Sequence, residues 1–280
     1  ELIWLTWAVD ERTPLTHRKT VRRRELAECV VVVVQSQPDL LEIRRGALAG
    51  TLLATGTTPV FLNQWNYVEV SCTISDTVGE VHVRLNGGLT DEVSFVGDTK
   101  NAGTATTIDR ISLYAGSGPA GWVADLYVLN DTGTTNNNFL GDVVVRTLSP
   151  NGNGTYSQLT GSDGNTVDNY LLVDEHPYSG ADYVGSATIN QKDSYALANL
   201  PGGVTTVHGI QLTGQMAKSD ATLASARYIL RSGGTDYAGI SRNLTTTFTG
   251  YYELYEMNPV TSVNWTPADI NALETGMEVV

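Results

Sequence analysis

The side chains that could carry chemistry in this sequence are carboxylates and histidines, and their spacing decides what they can do. A glycoside hydrolase needs two carboxyl groups held at a fixed separation. On a strand, the pattern E-x-D-x-E would present three carboxylates on one face, and the sequence lacks it. The nearest candidate, Asp174-Glu175-His176, has adjacent residues and precedes Pro177. It is therefore predicted to be a loop, not a catalytic pair.

The histidines do not suggest a metal or nucleophilic site. His17, His82, His176 and His208 are scattered, and none belongs to an H-E-x-x-H zinc motif. A G-x-S-x-G nucleophile motif is also absent. The sequence thus predicts a protein that is not an enzyme, with no catalytic residue, no metal ligand set and no cofactor-binding residue.

Tyrosines offer a binding alternative, because sugars stack on exposed aromatic rings. Most of the 13 tyrosines follow residue 140. Packing in a core or an interface explains tyrosines on alternating strands equally well. The residues that could form a glycan-binding platform or an interface are Tyr251, Tyr252, Tyr255, Tyr178 and Tyr183.

Charge is distributed unevenly along the chain, whose net charge is −13. Residues 1–45 hold eight basic and seven acidic side chains, whereas the remainder holds nine and 23. An acidic body repels phosphate backbones, so nucleic acid is not an expected partner. The basic segment is either a solvated surface segment or an arm that docks on an acidic partner, such as a neighbouring copy. Its basic residues are Arg18, Lys19, Arg22, Arg23 and Arg24.

The remaining composition is typical of an all-β protein: glycine and threonine are abundant, and long helical patterns are almost absent. No run of eighteen apolar residues occurs, so no membrane span is predicted. Two cysteines in 280 residues do not make a disulfide scaffold. Cys29 and Cys72 are expected to be buried thiols, with a disulfide as the alternative.

The stretch 121–150 divides the pattern into two β-rich parts. Two strands are expected there, Trp122–Leu129 and Asp142–Leu148, joined by the turn-rich Asn130–Asn138. We predict two tandem β-sandwich or jelly-roll-like domains with one short C-terminal helix. The predicted divisions are an N-terminal arm or incomplete first strands at 1–35, a sandwich at 36–138 and a second sandwich-like domain at 139–280.

Several local patterns are specific enough to predict individual elements. The run 67–74 alternates. Val68, Val70, Cys72 and Ile74 are expected to face inward, and Tyr67, Glu69, Ser71 and Thr73 outward. Asn86-Gly87 predicts a primed hairpin turn. In the second part, 170–173 is expected to be a strand, and 208–218 is expected to pair with 222–234 as a hairpin. A helix is predicted over Pro267–Glu274, capped by Thr266, with Asp269 completing the cap and Gly276 ending it.

A family resemblance rests on the segments that carry W-x-Y-V-E-V, V-x-L-N-G, I-D-x-I-x-L and D-L-Y-V-L-N-D-T-G. The chain resembles the concanavalin A-like, laminin-G-like sandwich found in tailed-phage structural proteins, over about residues 40–280. The matching residues are Trp65, Tyr67–Val70, Val83–Gly87, Ile108–Leu113 and Asp125–Gly133.

The resemblance implies a virion protein, a capsid decoration or tail-associated component made in the bacterial host cytoplasm and assembled in several copies. Its partners would be other virion proteins and copies of itself. The alternative is a lectin-like tail or fibre module that binds host surface polysaccharide. Laminin-G-like folds can also hold calcium through loop oxygens, and here Asp125 or Asp131 could contribute.

Overall fold

The computed structural model describes most of the chain. The described residues are 3–7, 30–34, 40–47, 49–61, 64–101, 123–175 and 177–280. Within them, strands predominate, and one α-helix lies near the C-terminus. The predicted all-β class and its short C-terminal helix are therefore confirmed. The chain divides into two compact units, Glu1–Val145 and Arg146–Val280.

The described strands of the first unit are β1 Ile3–Trp7, β2 Val30–Val34, β3 Leu40–Arg45, β4 Thr51–Pro59, β5 Val68–Thr73, β6 Gly79–Leu85, β7 Val93–Gly97 and β8 Val128–Leu129. They form two antiparallel sheets. The five-stranded sheet has the order β7-β6-β5-β1-β8, and the three-stranded sheet has the order β2-β3-β4.

The core of the first unit lies between these two sheets, which gives it β-sandwich character. Leu41 and Ile43 of β3 are fully buried and share one apolar cluster with Val70 of β5 and with Val81 and Val83 of β6. Alternation along each strand places these side chains on one face. Cys72 is buried in the same cluster, whereas Cys29 lies outside the described residues.

The central strand β5 is buried on both faces, and here the predicted outward face is wrong. Tyr67, Glu69 and Ser71 were expected to face solvent, but all three are buried. Residues on both sides of β8 hydrogen-bond to Tyr67 and Glu69. Tyr127 donates its hydroxyl to Glu69 Oε1 at 2.6 Å, and the Gly141 amide donates to the same oxygen at 3.0 Å. A polar strand face is thus satisfied by distant residues of the same unit.

The chain on both sides of β8 departs from its predicted strands. In the described part of the expected strand 122–129, which begins at Val123, only Val128–Leu129 is a paired strand, and Asp142–Leu148 contains no strand. Leu126 and Val128, two apolar residues of the expected strand, are exposed. The segment 140–145 instead uses its backbone to cap polar side chains: the Val143 amide donates to the Tyr67 hydroxyl at 3.1 Å.

The predicted primed turn follows β6. Asn86 has φ 52° and Gly87 has φ 71°, so both central residues take the positive φ that such a turn requires. The Gly88 amide closes the turn on the Leu85 carbonyl at 3.0 Å. The chain then returns through residues 88–92 before β7 begins.

The described strands of the second unit are β9 Pro150–Ser157, β10 Thr160–Gly161, β11 Val184–Gly185, β12 Lys192–Leu197, β13 Ile210–Met216, β14 Ser225–Ser232, β15 Thr235–Ala238, β16 Arg242–Asn243, β17 Thr249–Tyr255, β18 Met257–Asn258, β19 Val263–Asn264 and β20 Glu274–Val279. The unit is built around a sheet with the order β15-β14-β20-β12-β9, to which β16 adds by pairing with β14. Three two-stranded ribbons, β10-β11, β13-β17 and β18-β19, complete the described sheets.

Strand pairing in this unit is less local than the sequence suggested. The predicted hairpin between 208–218 and 222–234 is wrong, because β13 pairs with β17 and β14 pairs with β15 and β20. The predicted strand 170–173 is also wrong, because Asn169–Leu172 forms a single 3₁₀ turn. Burial of Asn169 and its hydrogen bonds to neighbouring elements outweigh the strand propensity of this apolar run.

The helix α1, Pro267–Asn271, has the predicted N-terminus. The Thr266 hydroxyl accepts from the Asp269 amide at 3.2 Å, and Asp269 Oδ2 accepts from the Thr266 amide at 2.9 Å, which completes a capping box. The helix is shorter than predicted, because Glu274 already begins β20 and Gly276 pairs with Ser194. Leu230, Trp265, Ile270 and Leu273 form the buried cluster that holds the helix on the sheet.

Candidate functional site

The second unit has an open groove of about 500 Å³ along one side of β17. Its opposite wall is the end of β15 and the segment that leads to β16. The described residues that line the groove are Tyr237, Ala238, Gly239, Ile240, Arg242, Tyr252, Glu253, Leu254 and Tyr255.

Strand alternation explains which side chains of β17 reach solvent. Tyr251, Glu253 and Tyr255 face inward, and Tyr252 and Leu254 face outward, with exposed fractions of 67% and 61%. Ile240, across the groove, is 62% exposed. The rim of the groove is therefore an apolar and aromatic surface. We refer to Ile240, Tyr252 and Leu254 as the exposed rim.

The floor of the groove is polar and centred on Glu253, which is buried. Glu253 Oε1 accepts from the Ile240 amide at 2.8 Å, and Oε2 accepts from the Tyr255 hydroxyl at 2.6 Å. Gly239 makes room for this carboxylate, since a Cβ there would lie 2.1 Å from Oε2. Burial, followed by the hydrogen bond to Glu253, raises the pKa of Tyr255, so its hydroxyl stays a donor at neutral pH.

Arg242 supplies the positive charge of the groove. Its NH2 group lies 4.0 Å from Glu253 Oε1 and donates to the Tyr252 carbonyl at 3.5 Å. Its Nε is buried and has no hydrogen-bond partner in the described part of the chain. Tyr237 packs edge-on against Tyr255, with ring centroids 5.8 Å apart. The arrangement combines aromatic faces with a guanidinium and a carboxylate, which suits binding of an apolar or sugar-like surface.

The structure brings together two of the five tyrosines singled out in the sequence. Tyr252 and Tyr255 line the groove. Tyr251 packs into the neighbouring apolar cluster, and its carbonyl accepts from Tyr228 at 3.0 Å. Tyr178 contacts Phe248, and Tyr183 is exposed beside the β10-β11 ribbon.

Sequence reasoning missed Tyr237, Arg242 and Glu253. Alternation in β17 could have flagged Glu253, because it shares a face with Tyr251 and Tyr255. The approach of Arg242 and Tyr237 depends on how β15 and β16 add to β14. The Gly233-Gly234 turn, with φ of 55° and 82°, is a local hairpin signal for β14 and β15, whereas the pairing of β16 has no such signal.

A second polar cluster lies on the main sheet of the second unit, around Asp236. Tyr156 donates to Asp236 Oδ2 at 2.8 Å, Lys192 donates to the same oxygen at 2.7 Å, and Arg231 donates to Oδ1 at 2.5 Å. Lys192 also lies 4.0 Å above the Tyr156 ring. Burial works to raise the pKa of Asp236, but these three hydrogen bonds lower it to about 2. The carboxylate therefore stays ionised at neutral pH and accepts all three hydrogen bonds.

The other predicted residues are placed as follows. Arg18, Lys19, Arg22, Arg23 and Arg24 lie outside the described residues, so their docking role stays a prediction. Asp125 Oδ1 accepts from the Val145 amide at 2.8 Å, and Asp131 is exposed. Asp174 and Glu175 lie in a loop, and His176 is outside the described residues. Across the described ranges, no three His, Cys, Asp or Glu side chains cluster as a metal site.

Comparison with known proteins does not identify the chain. No protein-family model, no curated protein and no solved structure matches it. Among the helices of the described part, none is long and apolar enough to cross a membrane.

Proposed function

We propose that the protein is a non-enzymatic structural component of a tailed-phage virion, a capsid decoration or tail-associated protein that works in several copies. The observation that carries this proposal is the exposed rim, which leaves Tyr252, Leu254 and Ile240 uncovered in a single chain. The sequence resemblance to phage sandwich proteins supplies the virion setting.

The chemistry of the groove favours contact over catalysis. Hydrolysis of a glycosidic bond requires two facing carboxyl groups. Among the described residues that line the groove, Glu253 is the only carboxylate, and both of its oxygens already accept hydrogen bonds within the fold. Glu253 thus connects β17 to the segment after β15, and the exposed rim is left for a partner.

Charge determines what kind of contact can join two copies. Each chain carries a net charge of −13, so identical copies repel one another at long range. Association that does not use the basic segment must therefore depend on short-range apolar burial, and salt should strengthen it by screening the repulsion. The exposed rim is such a surface, and a second copy is the occupant that we assign to it.

The virion assignment is tested on particles. Virus particles from the source are banded on a density gradient, and this chain is sought by peptide mass spectrometry. Stoichiometric recovery is expected, and gold-tagged antibody then distinguishes the head from the tail. Absence of the chain from purified particles would contradict the proposal.

The contact surface is tested on the purified chain by sedimentation velocity at low and high salt. Wild type should associate more strongly at high salt, and the double variant Tyr252→Ser/Leu254→Ser should lose this association. Leu223→Ser is the matched control, because Leu223 is 90% exposed and is not among the groove residues. A monomeric wild type under all conditions, or equal loss in the control, would rule out the rim as the contact.

A second candidate function is binding of a host surface glycan in the same groove. The observation that favours it is the exposed ring of Tyr252 beside Arg242 and Glu253, since sugars combine stacking with polar contacts. Titration with host polysaccharide should then show binding that Tyr252→Ala abolishes. Binding that survives this substitution would exclude the groove as the sugar site.

A further inference from the structure

A second site is suggested by the loop that leaves β10 and returns at β11. The β10-β11 ribbon closes this loop, and the Ser162 amide donates to the Tyr183 carbonyl at 2.8 Å. The chain has no lysine or arginine between Arg146 and Lys192. The acidic residues in this interval are Asp163, Asp168, Asp174, Glu175 and Asp182. The loop is therefore acidic along its sequence, although no three of these described carboxylates cluster in space.

The observation that points to a ligand is the side chain of Asn169. This residue is fully buried, and its Nδ2 donates to the Leu159 carbonyl at 2.9 Å and to Asp193 Oδ2 at 2.6 Å. These two acceptors fix the orientation of the amide. Its Oδ1 consequently points elsewhere, and within the described structure this buried oxygen has no hydrogen-bond partner. A buried acceptor without a donor or a cation is costly.

The unpartnered oxygen lies on the same side of Gly161 as a carboxylate. A Cβ on Gly161 would lie 2.5 Å from Asp163 Oδ1 and 3.3 Å from Asn169 Oδ1, with the Leu172 Cδ1 methyl beside them at 2.5 Å. Asn165 orients this carboxylate: its Nδ2 donates to Asp163 Oδ2 at 2.6 Å, and its own Oδ1 accepts from the Val167 amide at 2.6 Å. The two oxygens placed for a ligand are therefore one carboxylate oxygen and one buried amide oxygen.

Oxygen donors of this kind select a hard cation, and the irregular arrangement favours calcium over magnesium, which demands near-ideal octahedral geometry. Spacing agrees with this choice. When Asp163 is counted as position one, Asn165 is third and Asp174 is twelfth, as in a twelve-residue calcium loop, although Val167 stands at the fifth ligand position and Asp174 replaces the usual Glu. Asp168 is sixth and has φ 55°, the positive φ that such a loop needs at its turn.

We propose that the loop 163–174 binds one calcium ion, with Asp163 and the amide oxygen of Asn169 among its ligands. This site lies in the second unit and is separate from Asp125 and Asp131, which the sequence resemblance suggested. Because Asn169 is hydrogen-bonded to Asp193 of β12, the ion fastens the loop to the main sheet. The proposal does not depend on the virion assignment.

The test is calcium titration of the chelator-stripped full chain by calorimetry, with thermal unfolding in calcium or EDTA as a second readout. Wild type is expected to bind one ion and to unfold at a higher temperature in calcium. Asp163→Asn should weaken binding about tenfold or more, because it removes a charged ligand. Asp131→Asn is the control with the same change of charge, and it should bind as wild type does.

Three outcomes would overturn the proposal: no heat of binding in wild type, unchanged affinity in Asp163→Asn, or loss of binding in Asp131→Asn alone. Circular dichroism of Asp163→Asn in EDTA keeps the test decisive. A spectrum identical to that of wild type in EDTA shows that weaker binding does not come from misfolding. If the variant does not fold, Asp174→Asn replaces it, with the same expected loss of affinity.

Discussion

The first unit buries Glu69 and the second buries Asp193, and the two carboxylates are satisfied in different ways. Both Asp193 oxygens are engaged: Oδ1 accepts from the amides of Gln158 and Leu159, and Oδ2 accepts from Asn169 and Tyr195. Glu69 uses one oxygen for two donors, and its buried Oε2 has no partner within the described residues. Burial of the same chemical group thus has a different cost in each unit.

The difference follows from the local backbone. The β9-β12 ladder has a register shift between Asp193 and Tyr195, and β9 ends at Ser157. The Leu159 amide therefore donates to Asp193 Oδ1, and the Gln158 amide is shared between Asp193 Oδ1 and the Lys192 carbonyl. Glu69 lies in a regular central strand, whose amides pair with β1 and β6, so its carboxylate depends on donors from a covering segment. Asp193 thus stabilises the segment that follows β9, whereas Glu69 holds Tyr127 and Gly141 against β5.

Neutralising the Asp193 carboxylate should lower the free energy of unfolding more than the other substitutions considered below. In Asp193→Asn, one oxygen becomes an NH₂ group that faces donors, so the buried node loses charge-assisted hydrogen bonds worth roughly 1.5–3 kcal/mol each. We expect a loss of about 3 kcal/mol or more in the free energy of unfolding, measured by urea denaturation. Asp220→Asn is the control, since Asp220 is exposed. If the free energy of unfolding of the variant lies within about 0.5 kcal/mol of wild type, the hydrogen bonds of the Asp193 carboxylate do not stabilise the fold.

A third carboxylate, the half-buried Asp236, extends the comparison because its contribution to stability should depend on pH. Its folded pKa is about 2, below the ordinary value of 3.8. A depressed folded pKa contributes stability that is fully present above the unfolded pKa and is lost as pH falls through the folded pKa. The contribution should be about 2 kcal/mol above pH 4 and should disappear as pH falls towards 2.

The measurement is the difference in unfolding free energy between wild type and Asp236→Asn at several pH values. The gap should be largest at neutral pH and should narrow between pH 4 and 2. High salt should reduce it only partly, because the side chain is 25% exposed. A gap that does not change with pH would mean that shape, not charge, makes Asp236 important.

Local chemistry made much of the fold predictable. The alternating run 67–74 forms a strand over Val68–Thr73, the Asn86-Gly87 turn takes the expected positive φ, and the Thr266 cap starts the helix. Each depends on residues that are neighbours in sequence, so the physics that forms them can be read from a short window.

The errors arose wherever distant residues decide the outcome. Alternation placed Glu69 in solvent, because a strand pattern cannot reveal that Tyr127 and Gly141 cover its polar face. It likewise could not reveal that β13 pairs with β17 instead of β14. Tyr252 was selected from its residue type, but Arg242 and Glu253 become relevant only because the segment after β15 lies beside β17.

The smallest expected effect is that of Glu69→Gln, and it tests the other side of the comparison. The amide oxygen can keep the donors Tyr127 and Gly141, while the buried Oε2, which has no partner in the described structure, gives way to an uncharged NH₂ group. Burying a neutral amide costs less than burying a charge, so the free energy of unfolding should change by less than about 1 kcal/mol. Tyr127→Phe is the matched variant, and it should be more destabilising because the charge remains while a donor is lost. Urea denaturation of both variants decides the question: if Glu69→Gln costs as much as Asp193→Asn, the two carboxylates are equivalent and the hydrogen-bond geometry does not determine the cost of burying them.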